Sequence, residues 1–126
     1  MSNADTIKAG YEAFARQDIP AVLEAFDPGI EWYSPDSLPL GGRFKGHREV
    51  VGFFMKLPEY YQELRVEPDE FVEDGDTVVV LGHHRGKAGG GDFEVPFAHV
   101  WRTKDGKAVS FFEHTDTARL DEAVGA

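Results

Sequence analysis

The residues best equipped for chemistry crowd into one stretch, Asp92 to Thr117. There Glu94, His99, Arg102, Glu113, His114 and Asp116 are interleaved with Phe, Val and Trp. Imidazoles and carboxylates take up and release protons at useful pH when burial tunes them. Polar groups inside an apolar β pattern mark either a sheet at an interface or the wall of a pocket.

Other chemistries find no support. With no Cys in the chain, thiolate and disulfide chemistry are excluded. Gly89-Gly90-Gly91 is not a phosphate loop, because no helix and no Lys-Ser or Lys-Thr pair follows it. No nucleophile elbow or Ser-His-Asp order is present. The histidines lack ligand spacing, and His83 and His84, adjacent in a strand, point to opposite faces. The expectation is no metal and no cofactor.

The elements that position these groups are legible. Asp5 caps a helix reaching Arg16, with Ile7, Tyr11 and Phe14 recurring on one face. Asp18 and Pro20 open a second helix, Ile19 to Phe26, which Asp27-Pro28-Gly29 ends. Ile30 to Ser34 is a short strand. Pro35 to Gly46 reads as a loop, and Gly46 to Leu57 as a third helix ended by Pro58. From Tyr61 the pattern is β: a long strand disturbed at Pro68, a turn at Glu73–Asp76, and a strand from Thr77 to Lys87. Asp105-Gly106 then turns the final hairpin, both residues tolerating positive φ. Helices first and strands after give a single α+β domain, residues 1–126, with helices on one face of a curved antiparallel sheet.

Composition narrows the partners. The 126 residues suffice for one core, and the ten Phe favour an aromatic core or cavity. A formal net charge of −10 disfavours nucleic acid and anionic membrane, which need a basic surface. No apolar run approaches the roughly 20 residues of a membrane span, and no signal peptide is visible, so a cytoplasmic location is expected.

Several segments together resemble a known family. They are Tyr11-Glu12-Ala13-Phe14 with Asp18; Val22-Leu23-Glu24-Ala25-Phe26; Ile30-Glu31-Trp32; Gly46 with Val50 and Phe54; Phe97-Ala98-His99-Val100-Trp101-Arg102; Asp105-Gly106-Lys107; and Thr115-Asp116-Thr117. In this order, from about Ile7 to Leu120, the chain resembles the SnoaL-like, ketosteroid-isomerase-like branch of the nuclear-transport-factor-2-like superfamily. The resemblance implies a cone-shaped curved sheet wrapped around three N-terminal helices, an internal apolar pocket, and a homodimer through the outer sheet face. Of the three groups that the related steroid isomerase uses, only the helix tyrosine is kept, as Tyr11. The base position falls on Ser34 and the oxyanion-hole acid on Ala98, so steroid Δ-isomerase chemistry is not expected.

The same resemblance sets strand parity. It places Ala98 and Val100 inward, with Val80 and His84 on the preceding strand and Phe111 and Glu113 on the last one. Phe97, His99 and Trp101 then face outward, with Phe112, toward a partner subunit. Phe14, Trp32, Phe54 and Phe71 complete an aromatic wall. Glu113, Tyr11, His84 and Ser34 become the candidate reactive groups. Desolvation would raise the Glu113 pKa to make it a base, His84 would relay the proton, and Tyr11 would polarise a carbonyl. A structural His84–Glu113 ion pair across adjacent strands is the alternative. Asp36, His99 and Asp116 are weaker candidates: a loop turn former, an outward-facing histidine, and a group at the cone rim. The implied function is a pocket for an apolar, carbonyl-bearing, polyketide- or steroid-like ligand, with isomerase-, cyclase- or hydratase-type acid–base chemistry. The alternative is a binding or dimerisation module without catalysis. A pocket of a few hundred Å³ with Glu113 at its base would favour the enzyme.

Overall fold

The computed structural model describes residues 2–125. The chain runs α1 (Asn3–Ala15), α2 (Ile19–Glu24), β1 (Phe26–Ser34), β2 (Gly42–Lys45), α3 (Gly46–Tyr60), β3 (Tyr61–Asp74), β4 (Thr77–Ala88), β5 (Gly91–Lys104), β6 (Lys107–Thr115) and α4 (Thr117–Val124). Six strands form one curved sheet in the order β2-β1-β6-β5-β4-β3. The α+β class and the curved sheet over N-terminal helices are as expected.

Local signals explain the helices. Ser2 and Asp5 form a capping box at the start of α1. Asp18 caps α2, with Pro20 in its first turn. Ile7, Tyr11, Val50 and Phe54 are the buried residues by which α1 and α3 pack onto the sheet. Pro58 lies inside α3 rather than ending it.

Three differences from the sequence reading matter. Asp27-Pro28-Gly29 belongs to β1, and the expected loop contains an edge strand, β2. β1 pairs with β6 in parallel, the one departure from the antiparallel pattern among the described residues. A fourth helix follows β6, capped by Asp116, whose carboxylate accepts from the Arg119 backbone N–H. Leu120 and Ala123 are its buried residues. This helix also explains the triglycine. The Gly90 N–H donates to the Ala123 carbonyl at 2.8 Å, and a Cβ on Gly90 would lie 2.5 Å from the Glu122 carbonyl oxygen.

The largest correction concerns β5. Val95, Phe97, His99, Trp101 and Thr103 are buried, while Ala98 and Val100 lie on the outer face. The cause is one residue in the terminal hairpin. Asp105 and Gly106 form the tight turn, with φ of 51° and 78°. Lys104 pairs with Lys107 and Thr103 with Ala108, but Arg102 pairs with Ser110, so Val109 is a bulge. Beyond the bulge Trp101 faces Phe111 and His99 faces Glu113. Without it, Val100 and Ala98 would hold those places, because a one-residue slip turns every side chain over.

Candidate active site

Between the helices and the inner sheet face lies a cavity of about 100 Å³. Tyr11 and Phe14 enter from α1, Trp32 and Ser34 from β1, and Phe53 and Phe54 from α3. His84, His99 with Trp101, and Phe111 with Glu113 come from β4, β5 and β6. Leu38, Pro39 and Leu40 of the β1–β2 connection, Tyr60 and Tyr61, and Leu120 and Val124 also contribute to the lining. The volume is smaller than expected, and a ligand of several rings would have to displace some of this lining.

The aromatic wall is a connected stack. Trp32 lies on Phe111 with ring centres 3.9 Å apart, and Trp101 meets Phe111 at 4.6 Å. Phe71 touches the edge of Tyr11 but does not line the cavity. Val80 is fully buried behind it. Ala98 and Val100, expected to line it, do not, for the reason of register given above. Asp36 is exposed on the loop.

The polar groups gather at one point. His99 Nε2 and His84 Nε2 each lie 3.2 Å from Glu113 Oε2. The His99 contact has hydrogen-bond geometry. The His84 contact has the distance without the direction, and His84 Nε2 is buried with no hydrogen-bond partner among the described residues. β4 and β6 are not neighbours, so the two groups meet across β5 and not along adjacent strands. On its other side His99 Nδ1 lies 2.6 Å from Tyr11 Oη, and Trp101 Nε1–H donates to the same oxygen at 3.0 Å. His99 is also stacked on Phe97, with ring centres 3.8 Å apart.

Electrostatics assign the protons. Burial pushes the Glu113 pKa up, but the two imidazoles beside it outweigh burial and hold the carboxyl well below the usual carboxylate range. The expected rise is therefore reversed. Burial pushes His99 down to about 4 despite the favourable pull of Glu113, so its ring is neutral at neutral pH. Burial also drives the Tyr11 phenol far up, and it stays protonated. A neutral His99 beside an ionised carboxylate must carry its proton on Nε2 and accept at Nδ1. The chain therefore runs from the Trp101 N–H to Tyr11 oxygen, from the Tyr11 O–H to His99 Nδ1, and from the His99 Nε2–H to Glu113. The single Tyr11 proton is committed to His99.

Of the expected reactive groups, the structure brings Glu113, His84 and Tyr11 into one cluster and adds His99, placed outward by sequence parity. Ser34 lines the same cavity from β1. His84, His99 and Glu113 also present their ligand atoms within 4.8 Å of one another. Three separate strands supply them, so no spacing in the chain could have shown the cluster.

The chain belongs to the SnoaL-like domain family, whose model matches residues 7–111. Among solved structures it is similar over 100% of both chains to a nuclear-transport-factor-2-like protein of unknown function from Burkholderia pseudomallei, at 43% identity and a TM-score of 0.93. It is 32% identical to TerC, co-crystallised with polyporic acid, over 98% of each chain with a TM-score of 0.92. A protein from a Jannaschia species described as a SnoaL-like polyketide cyclase shares the fold, at 19% identity over 98% of this chain and 92% of that one, with a TM-score of 0.84. No curated protein matches the chain.

Proposed function

We propose that this chain binds an apolar, carbonyl-bearing ligand of polyketide- or steroid-like type and moves a proton on it by general acid–base chemistry. One observation carries the reading: a carboxylate, Glu113, sits with two imidazoles at the wall of a largely apolar cavity. A buried charge in such a place is costly unless it is used or well paired. The similarity to TerC, which was co-crystallised with polyporic acid, supports a small-molecule ligand.

The roles follow from the proton inventory. Glu113 takes a proton from the carbon or hydroxyl beside the ligand carbonyl and returns it at another position of the ligand, with His84 beside it. His99 and Tyr11 hold Glu113 in place. Tyr11 has no proton free for the ligand, so Ser34 is the hydroxyl best placed to meet the oxygen that gains charge. The step itself requires no cofactor.

Two measurements test this reading. Polyporic acid should quench the fluorescence of Trp32 and Trp101. The protein should also catalyse exchange of the α-protons of 2-tetralone in D2O, followed by NMR. Glu113→Gln should slow that exchange by roughly 100-fold or more and leave polyporic acid binding within a few-fold. Exchange at the wild-type rate in the variant would refute the assignment. Binding without exchange in the wild-type protein would favour the non-catalytic module, for which the small cavity is the supporting observation.

The outer sheet face is proposed as the dimer surface. Val72, Val79, Val100 and Phe112 follow one another across β3, β4, β5 and β6, and Tyr33 of β1 stacks on Phe112 at 4.2 Å. Val72, Leu81 and Phe112 are exposed there although apolar.

A further inference from the structure

We propose that His84, His99 and Glu113 form a binding site for a first-row divalent transition ion in the wall of the cavity. This goes beyond the acid–base reading and needs no turnover. Two observations carry it independently.

The first is convergence. Both imidazole Nε2 atoms lie 3.2 Å from one carboxylate oxygen, and all three ligand atoms fall within 4.8 Å of one another. Two metal–ligand bonds of about 2.1 Å, meeting at about 90–109°, leave their ligand atoms about 3.0–3.4 Å apart. Two of the three spacings, those from each imidazole to the carboxylate, are those of ligands around a common centre, and the two imidazole nitrogens, within 4.8 Å of each other, draw together to share the ion.

The second is the orphaned nitrogen. His84 is 6% exposed, and its Nε2 has no hydrogen-bond partner among the described residues although a carboxylate oxygen is 3.2 Å away. A buried imidazole nitrogen misaligned with an anion is satisfied by a positive centre lying between the two. An ion bound by all three groups occupies that place.

The surroundings suit the ligands. Metal-bound imidazoles are normally oriented by a hydrogen bond at the other ring nitrogen. His99 Nδ1 has one, to Tyr11 Oη at 2.6 Å, and Trp101 steadies that oxygen. When an ion takes Nε2 of His99, the ring proton moves to Nδ1 and donates to Tyr11. Tyr11 then accepts from both His99 and Trp101, and its own proton is released to point elsewhere. The ion would thus free the phenol that is committed in its absence, and turn Glu113 from proton acceptor into ligand.

The donor set selects the ion. Two imidazoles and one carboxylate suit Zn²⁺, Co²⁺, Ni²⁺ or Fe²⁺ and not Mg²⁺ or Ca²⁺, which prefer oxygen alone. Three protein ligands leave a position for water or a ligand oxygen. One carboxylate against two positive charges leaves the site net positive, which favours an anionic oxygen there.

The test uses the full chain freed of metal by chelator and dialysis. Isothermal titration with ZnCl2 should show one site per chain, and CoCl2 should give the visible absorption of a nitrogen-ligated Co²⁺. His84→Ala and Glu113→Gln should each weaken Zn²⁺ at least tenfold, while His83→Ala, altering the exposed histidine paired with Asp69, should not. The wild-type Co²⁺ spectrum decides the matter if a variant fails to fold. Absence of stoichiometric Zn²⁺ and Co²⁺ binding by the folded wild-type chain, or loss of it in His83→Ala alone, would overturn the proposal. Binding of polyporic acid by the metal-free chain is read separately, so failure here leaves that reading standing.

Discussion

Tyr11 Oη and His99 Nδ1 lie 2.6 Å apart, and this bond joins the first helix to the fifth strand across the core. Trp101 on one side and Glu113 on the other extend it into a chain of four side chains from α1, β5 and β6, three buried and Glu113 partly so. The helix is thereby placed by a polar network as well as by packing, and each member depends on its neighbours for its proton.

Tyr11→Phe keeps the ring and removes the hinge of that chain. Trp101 loses its acceptor and His99 its donor, both in the interior. The expected loss is about 1–3 kcal/mol for each group left unpaired, read as a lower urea midpoint at unchanged slope. A midpoint equal to that of the wild type would show that the chain carries no stability.

The two faces of β5 should respond oppositely. Trp101→Ala empties a site packed against Tyr11, Phe26, Trp32 and Phe111 and should cost about 3–5 kcal/mol. Ala98→Ser, one face over, should change monomer stability by no more than about 0.5 kcal/mol. On the proposed dimer surface, Phe112→Glu should leave the fold intact and give the sedimentation of a monomer, where the wild-type chain is expected to sediment as a dimer. Equal costs at Trp101 and Ala98 would contradict the register set by the Val109 bulge.

Alkaline stability should depend on Tyr61. Burial, with the charge of Glu113 adding to it, pushes this phenol up to about 12. A folded pKa above the unfolded value of about 10 means that its contribution is intact below pH 10 and is lost as pH rises through 12. Urea midpoints measured from pH 9 to 11.5 should therefore fall less steeply in Tyr61→Phe than in the wild type. Parallel curves would show that Tyr61 is not the group responsible.

Steroid Δ-isomerisation should be absent. The position expected to hold an oxyanion-hole acid, Ala98, is not in the cavity, and the residue facing Tyr11 is a neutral His99 that consumes its proton. A 3-oxo-Δ5-steroid mixed with the protein should show no accelerated rise in the ultraviolet absorbance of the conjugated enone. A rapid rise would refute this account of the site.

The chain by itself determined the class of the fold and most of its elements. Helix caps at Asp18, the apolar repeat of Ile7, Tyr11 and Phe14, and the Asp105-Gly106 turn act over a few residues, so their effects are written locally. Parity on β4 and β6 followed from the family resemblance, and Val80, His84, Phe111 and Glu113 do lie on the inner side. The edge strand β2 and helix α4 were not. β2 exists because β1 offers it an edge, and α4 because Leu120 and Ala123 find a place to be buried.

Only the tertiary structure decided the site. One bulged residue, Val109, in a hairpin with an otherwise regular turn, carried His99 to the inside and Ala98 to the outside. It also set His99 between Tyr11 and Glu113, which reversed the expected direction of the Glu113 pKa. A bulge costs little locally. It is selected by which face of β5 best fills the core, and burying Phe97 and Trp101 against α1, β1 and β6 is a sum over the whole sheet that no short stretch of sequence contains.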